Sequence, residues 1–302
     1  MSNTSSTTIA CALCLGATAE PYLAAALEAV KDAVDVLTVN DNSGLARSDN
    51  ATILEGSAFA ARGALHVRAH PFVDFADMRN RAFAQLRALP VPPQWVLFLD
   101  ADEVHGEQIR YIAREILPHL GPEIGNLDAY TYHFWGTPRW ITDVARRFVF
   151  YRYAPDLAWT NAVHEKIANV RGGALVIPYT YHHYGNVLPP ALLARKHLQY
   201  YGLGNRVPQP PSEADASEAM YLEKAHLVRP YGDAHPRAAR ATLARLDAEN
   251  RESFGRLEGE FRARRTTLDR VNARARAMSD TLRVELRRLE HPLVYRAATR
   301  AR

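Results

Sequence analysis

The stretch Trp95-Val96-Leu97-Phe98-Leu99-Asp100-Ala101-Asp102-Glu103 runs an apolar segment of strand length straight into three carboxylates. Such a run predicts a strand buried on both faces, and in an open α/β sheet the ligand lies beyond the carboxyl ends of the strands. Asp100 and Asp102 are thereby expected at a site. Two carboxylates meeting at a strand end suit an oxygen-coordinated divalent cation, Mg²⁺ or Mn²⁺, that keeps positions open for water and substrate phosphates. A metal-bound nucleoside diphosphate is the natural guest, and a solvated turn after a strand is the plain alternative.

Outward from that segment, strand-like and helix-like patterns alternate. Ile9 to Leu15 and Val34 to Val39 are short apolar runs, and Leu65 to Val67 is a shorter one; Glu20 to Val30 and Phe75 to Leu89 carry helical spacing. This alternation predicts a mostly parallel central sheet with helices on its faces. Leu15 to Glu20 holds one glycine and no lysine or arginine. A classical dinucleotide fingerprint is thus disfavoured, and a Walker loop is absent.

After the carboxylates, Glu107 to Leu117 reads as a helix, and Ala129 to Tyr153 as two aromatic strands. Trp135 to Asp143 is expected to be the loop between those strands. There Trp135 and Trp140 are candidates for packing on an acceptor sugar, or else anchors of the core. The proline-rich Val207 to Ser212 suggests a boundary between residues 1–206 and 207–302. Beyond it, apolar residues from Phe254 to Leu289 recur at spacings of three and four, predicting one long amphipathic helix over about Pro236 to Glu290. That stripe is expected to be buried against protein, as a homodimer seam ahead of packing back onto the catalytic part. The excess arginine would also permit peripheral contact with anionic lipid.

Composition narrows the class. A 302-residue chain with 47% hydrophobic and 23% charged residues is globular and long enough for a substantial core. The net charge of +4 is concentrated in the arginine-rich tail, so a general nucleic-acid binder is not expected. No apolar run nears the ~20 residues that span a bilayer, and the start lacks the features of a signal peptide, so a cytoplasmic location is expected. Cys11 and Cys14 form C-x-x-C inside a strand, where residues three apart face opposite ways; two core thiols are expected, without a disulfide or zinc site.

Four elements in register, LDADE, ADMRNRA, WTNAVHE and HHYGNVLPPALLARKH, resemble glycosyltransferase family 2, the inverting enzymes of the GT-A fold. The likeness runs from about Ile9 to about Asn205 and is closest to a bacterial branch. It implies an α/β, Rossmann-like domain followed by a helical C-terminal extension. It also implies a nucleotide-diphosphate sugar donor, with UDP favoured, and a glycan, lipid-linked or protein acceptor.

Residue by residue, the resemblance places Asp41 at the nucleoside, with Leu15 beside it. Arg79 lies at the base or diphosphate, Asp100 on the ribose side, and Asp102 with His183 on the metal. Glu165 is the candidate base, Asp143 the next carboxylate in line, and His164 a candidate assistant. Two departures stand out: Asn40 replaces the first of two aspartates, and Gly16-Ala17 replaces an asparagine–glutamate pair. Among rival readings, a sugar-1-phosphate nucleotidyltransferase would need a basic glycine-rich loop after the first strand. A haloacid-dehalogenase-like phosphatase would carry its Asp-x-Asp on that strand. A non-catalytic carbohydrate-binding relative would not turn over sugar nucleotides.

Overall fold

The computed structural model describes residues 8–203 and 209–290. The proposed domain boundary at 206/207 falls outside them. The strands are β1 (Ile9–Leu15), β2 (Val36–Asp41), β3 (Leu65–Ala69), β4 (Trp95–Leu99), β5 (Glu103–Val104), β6 (Ile124–Trp135), β7 (Thr137–Arg152), β8 (Ala158–Thr160), β9 (Lys166–Ala168), β10 (Gly173–His183) and β11 (Arg229–Pro230). The helices are α1 (Leu23–Val30), α2 (Ala51–Glu55), α3 (Ala58–Ala61), α4 (Phe75–Arg87), α5 (Gln108–Tyr111), α6 (Pro190–Gly202), α7 (Ala219–Leu222), α8 (Arg240–Glu249), α9 (Arg251–Arg264) and α10 (Thr267–Glu290).

The expected α/β class is what is found. One large sheet runs β3-β2-β1-β4-β7-β6-β10-β5, with β11 added on β7. The half from β3 to β4 is parallel throughout. Beyond β4, β7 enters antiparallel to both β4 and β6, and β10 lies parallel to β6. Strand β4 explains why its sequence has no polar alternation. Trp95, Leu97 and Leu99 pack in the core that contains α1 and α5, while Val96 and Phe98 pack with Phe83 and Leu86 of α4. Cys11 and Cys14 divide between the same two faces and are free, with burial pushing the Cys14 thiol up to about 12.

Three expectations are corrected. Trp135 to Asp143 is a continuous hairpin, with Gly136 alone between β6 and β7. Gly136 sits at φ +71°, and Leu257, Phe261 and Tyr221 pack where its side chain would be, so only glycine fits. Trp135 and Trp140 are 3% and 2% exposed, and the Trp135 indole donates to the Tyr221 carbonyl at 2.9 Å. Both rings are enclosed by α6, α7 and α9 and offer no face to a sugar. The tail is three helices, because the backbone breaks at Asn250 and again at Arg265. Phe254, Leu257 and Phe261 of α9 are packed back onto the sheet domain. On α10, by contrast, Leu268, Val271, Met278 and Leu282 face solvent. No helix among the described residues is long and apolar enough to cross a membrane.

Candidate active site

The carboxylate segment closes into a tight turn. The Glu103 amide donates to the Asp100 carbonyl at 3.0 Å, and the Asp100 amide donates to the Glu103 carboxylate at 3.2 Å. Ala101 is tucked into the core, leaving Asp100 and Asp102 on the ligand side. Residues 103–104 then pair antiparallel with the end of β10, and the Tyr184 amide donates to the Asp102 carbonyl at 2.8 Å. This pairing brings together residues eighty positions apart in sequence. His183 Nε2 lies 3.2 Å from Asp102 Oδ1.

Two charge clusters result, side by side at the carboxyl ends of β4 and β10. In the first, Arg79 from the second turn of α4 reaches Glu165 through Nε at 2.6 Å and Asp100 through Nη1 at 3.2 Å. Its guanidinium is also stacked against Phe98 and Trp159, 4.2 and 5.0 Å from the ring centroids. Burial alone would lower its pKa, yet Asp100 and Glu165 outweigh that and raise it. Asp74 caps α4 by accepting from the Asp77 amide at 2.7 Å, which fixes the helix start and hence the reach of Arg79.

Asn80, one residue on, exchanges two hydrogen bonds with the Trp159 backbone, at 2.8 and 2.9 Å. That bracket pins the β8–β9 hairpin, whose loop delivers Glu165 over Arg79. The hairpin carries Asn161, His164 and Asn169 at φ +72°, +54° and +64°, a concentration of left-handed non-glycine backbone that costs energy and is held by its surroundings.

In the second cluster, Asp102 is 15% exposed and lies between His183 and Lys196, whose Nζ is 3.2 Å from Oδ2. Burial works against its ionisation, but Lys196 and His183 outweigh burial and hold it far below the usual carboxylate range. His183 Nδ1 is 3.0 Å from His133 Nδ1, the two residues being direct register partners where β10 lies parallel to β6. Burial and then His183 push His133 down to about 4, so it is neutral at physiological pH. Nearby, burial and then Asp102 raise Glu20 to about 7.

Gly185 closes the back of this cluster. A Cβ there would meet Asp102, His183 Nε2 at 2.6 Å and Lys196 Nζ at 2.8 Å. These are ends of side chains, so the fold accommodates a methyl only by moving all three. Gly185→Ala is therefore expected to leave the melting temperature within a few degrees while weakening Mn²⁺ and nucleotide binding by about tenfold or more. Titration calorimetry checks it, and unchanged affinities would show that the packing does not set the site.

The fit of a divalent cation can be judged on this geometry. Asp102 Oδ1 is buried and makes no aligned hydrogen bond, despite the nearby imidazole. Adjacent donors around one ion at ~2.0–2.2 Å sit roughly 3 Å apart, matching the Asp102–His183 separation. A histidine whose other nitrogen is held by a partner is also the usual form of a metal-binding imidazole. Asp100, however, is turned to Arg79, so the expected Asp100–Asp102–His183 triad is not assembled. No group of three His, Cys, Asp or Glu arranged for a metal exists among the described residues. Asp102 and His183 are the two residues that would hold a divalent cation here.

Of the other expected residues, Asp41 ends β2 half-buried and accepts from the Ser43 amide at 2.9 Å. The Leu15 side chain is fully in the core, and its carbonyl accepts from the Asn42 amide at 2.7 Å. Leu15 is thus withdrawn as a nucleotide-contacting side chain. The departure Asn40 is explained locally: its amide donates to the Met78 carbonyl at 2.7 Å, tying β2 to the helix of Arg79. Lys196 and His133 were missed. Lys196 lies within the quoted HHYGNVLPPALLARKH, thirteen residues past His183 and in the second turn of α6, and the fold of α6 over the strand ends brings it to Asp102.

No family model matches the chain, and no curated protein matches it. Among solved structures, glucosyl-3-phosphoglycerate synthase from Mycobacterium tuberculosis, in complex with Mn²⁺, UDP and phosphoglyceric acid, is similar at 17% identity and TM-score 0.29 over 41% of this chain. The match spans 43% of that synthase, less than half its length. TarS 1–349 from S. aureus is similar at 10% identity and TM-score 0.33 over 84% of this chain and 88% of that one. A 4-diphosphocytidyl-2C-methyl-D-erythritol synthase is similar at 14% identity and TM-score 0.31 over 49% of this chain and 75% of that one.

Proposed function

We propose that this chain is an inverting glycosyltransferase that moves a sugar from a nucleoside-diphosphate sugar, with UDP as the favoured nucleotide, to an acceptor hydroxyl. The observation that carries the reading is the junction of Asp102 and His183 beside Arg79 and Asp100 at the carboxyl ends of the strands. Among the described residues, Asp100, Asp102 and Glu165 lie against Arg79, His183 and Lys196, whereas burial and neighbouring carboxylates raise Glu103 to about 8 and Glu20 to about 7. A pyrophosphate brings negative charge that these cations, already paired with carboxylates, do not balance. A divalent cation held by Asp102 and His183 would balance it and would stabilise the departing diphosphate.

The remaining roles fall to the chain's own groups. Arg79, fixed by two carboxylates and two rings, offers a planar cation on the nucleotide side. One oxygen of Glu165 is anchored on Arg79, which orients the carboxylate as a base is oriented in a catalytic dyad. As the acceptor oxygen bonds to the anomeric carbon, Glu165 takes its proton, and the electron pair of the breaking C–O bond leaves with the diphosphate. His164, next to it on left-handed backbone, is proposed to position that carboxylate. Release of nucleoside diphosphate from sugar nucleotides, with and without Mn²⁺, tests the reading. A chain that releases none under any of these conditions would favour a non-catalytic binding protein.

A further inference from the structure

The two permanent cations of the site are not equivalent. Arg79 is committed, with Nε and Nη1 on carboxylates and its plane stacked on Phe98 and Trp159. Lys196 comes from α6, which crosses the strand ends and is tied to α4 where Tyr200 stacks on Phe75 at 4.7 Å. Its ammonium has three donors. One is directed to Asp102 Oδ2 at 3.2 Å and another to the Gly185 carbonyl at 3.0 Å. A third donor remains for a ligand, and the side chain is still 30% exposed on a flexible four-carbon stem. An ammonium in this position is a compact point charge beside the place where Asp102 and His183 meet.

We propose that Lys196 is a phosphate-binding residue of the donor site, giving the chain an affinity for nucleoside diphosphates that does not require a divalent cation. The inference rests on the proposed donor class and adds a second source of positive charge to it. Without ligand, Lys196 neutralises Asp102 and keeps the carboxylate aimed. When a diphosphate arrives, the ammonium contributes a charge-assisted hydrogen bond to a phosphate oxygen. The same geometry makes Lys196 and a divalent cation rivals for the charge of Asp102. Removing the ammonium should therefore weaken metal-free nucleotide binding while strengthening the binding of Mn²⁺ alone. A purely structural lysine would not produce opposite signs.

The test uses the full chain, as wild type, Lys196→Met and Lys196→Arg. UDP, GDP, dTDP and CDP are titrated by calorimetry in EDTA, and Mn²⁺ alone is titrated by electron paramagnetic resonance. Lys196→Met should bind the preferred diphosphate about tenfold or more weaker in EDTA, the scale of one hydrogen bond to a charged group. It should bind Mn²⁺ more tightly than wild type, and Lys196→Arg should retain most of the nucleotide affinity. Equal nucleotide affinity in Lys196→Met, or parallel loss of nucleotide and Mn²⁺, would overturn the inference. A wild type that binds diphosphate only with Mn²⁺ would overturn it and leave the proposed function standing. A wild type that binds none of the four, with or without Mn²⁺, would overturn both.

Discussion

Asp102→Asn is expected to lower turnover by on the order of 10²–10³-fold, the scale for losing one preorganised charge at a reacting centre. Asp102 lies 3.2 Å from His183, and its ionised form is enforced by Lys196 and His183 against the cost of burial. Asparagine has the same shape and keeps an oxygen for Lys196, but it lacks the negative charge that a divalent cation would need. The fold should survive. Lys196 is partly exposed and reaches water by turning its stem, so leaving it uncompensated costs about 1–2 kcal/mol rather than the larger penalty of an enclosed charge. Release of nucleoside diphosphate with saturating Mn²⁺ measures the effect, with a circular-dichroism melt as the control for folding. Turnover that survives the substitution, or that is undiminished for wild type in EDTA, contradicts the assignment.

The second large effect is expected at Glu165. Glu165→Gln should reduce kcat by roughly 10²-fold, the usual contribution of a positioned general base, with donor affinity little changed. Glutamine preserves a carbonyl oxygen for Arg79 Nε, so the anchor seen at 2.6 Å remains while the proton acceptor is lost. Separating kcat from donor KM is decisive. A rise in donor KM at constant kcat would mean that Glu165 serves Arg79 and not the acceptor. Unchanged kinetics would move the base to Asp143, which is exposed on β7 and accepts from the Thr142 hydroxyl at 2.8 Å.

The parallel half of the sheet and the strand-end carboxylates were legible because they are local. Trp95 to Leu99 is apolar at every position since β4 is covered on both faces, and Asp100 and Asp102 alternate around a buried Ala101 because the turn demands it. Arg79, Asp100, Glu165, Asp102 and His183 were each visible as ionisable residues within short motifs. Their division into two clusters was not. It depends on β5 folding back antiparallel on β10 and on Asn80 bracketing the β8–β9 hairpin, pairings with no signature in either partner's own sequence.

The misread parts share a physical cause. Trp135 and Trp140 carry polar tips, and their polar neighbours resemble a loop, yet β6 runs to Trp135 and β7 from Thr137 onward, with α6, α7 and α9 covering that face. The tail's spacing of three and four persists across Asn250 and Arg265, so periodicity alone reported a single helix where the backbone turns twice. Lys196 was overlooked for the opposite reason. A lysine on an amphipathic helix reads as solvated, and its burial against Asp102 appears only once α6 is laid over the site.

The central claim, a nucleoside-diphosphate site that uses a divalent cation through Asp102, is tested most directly by melting the protein with UDP, GDP, dTDP and CDP, each with Mn²⁺ and with EDTA. A ligand at 100 times its dissociation constant stabilises the native state by about 2.7 kcal/mol, which raises the melting temperature by several degrees. The account predicts that one of the four diphosphates does so, that Mn²⁺ enlarges the shift, and that the enlargement disappears in Asp102→Asn. No shift with any of them, or a metal-dependent shift that Asp102→Asn retains in full, would contradict it.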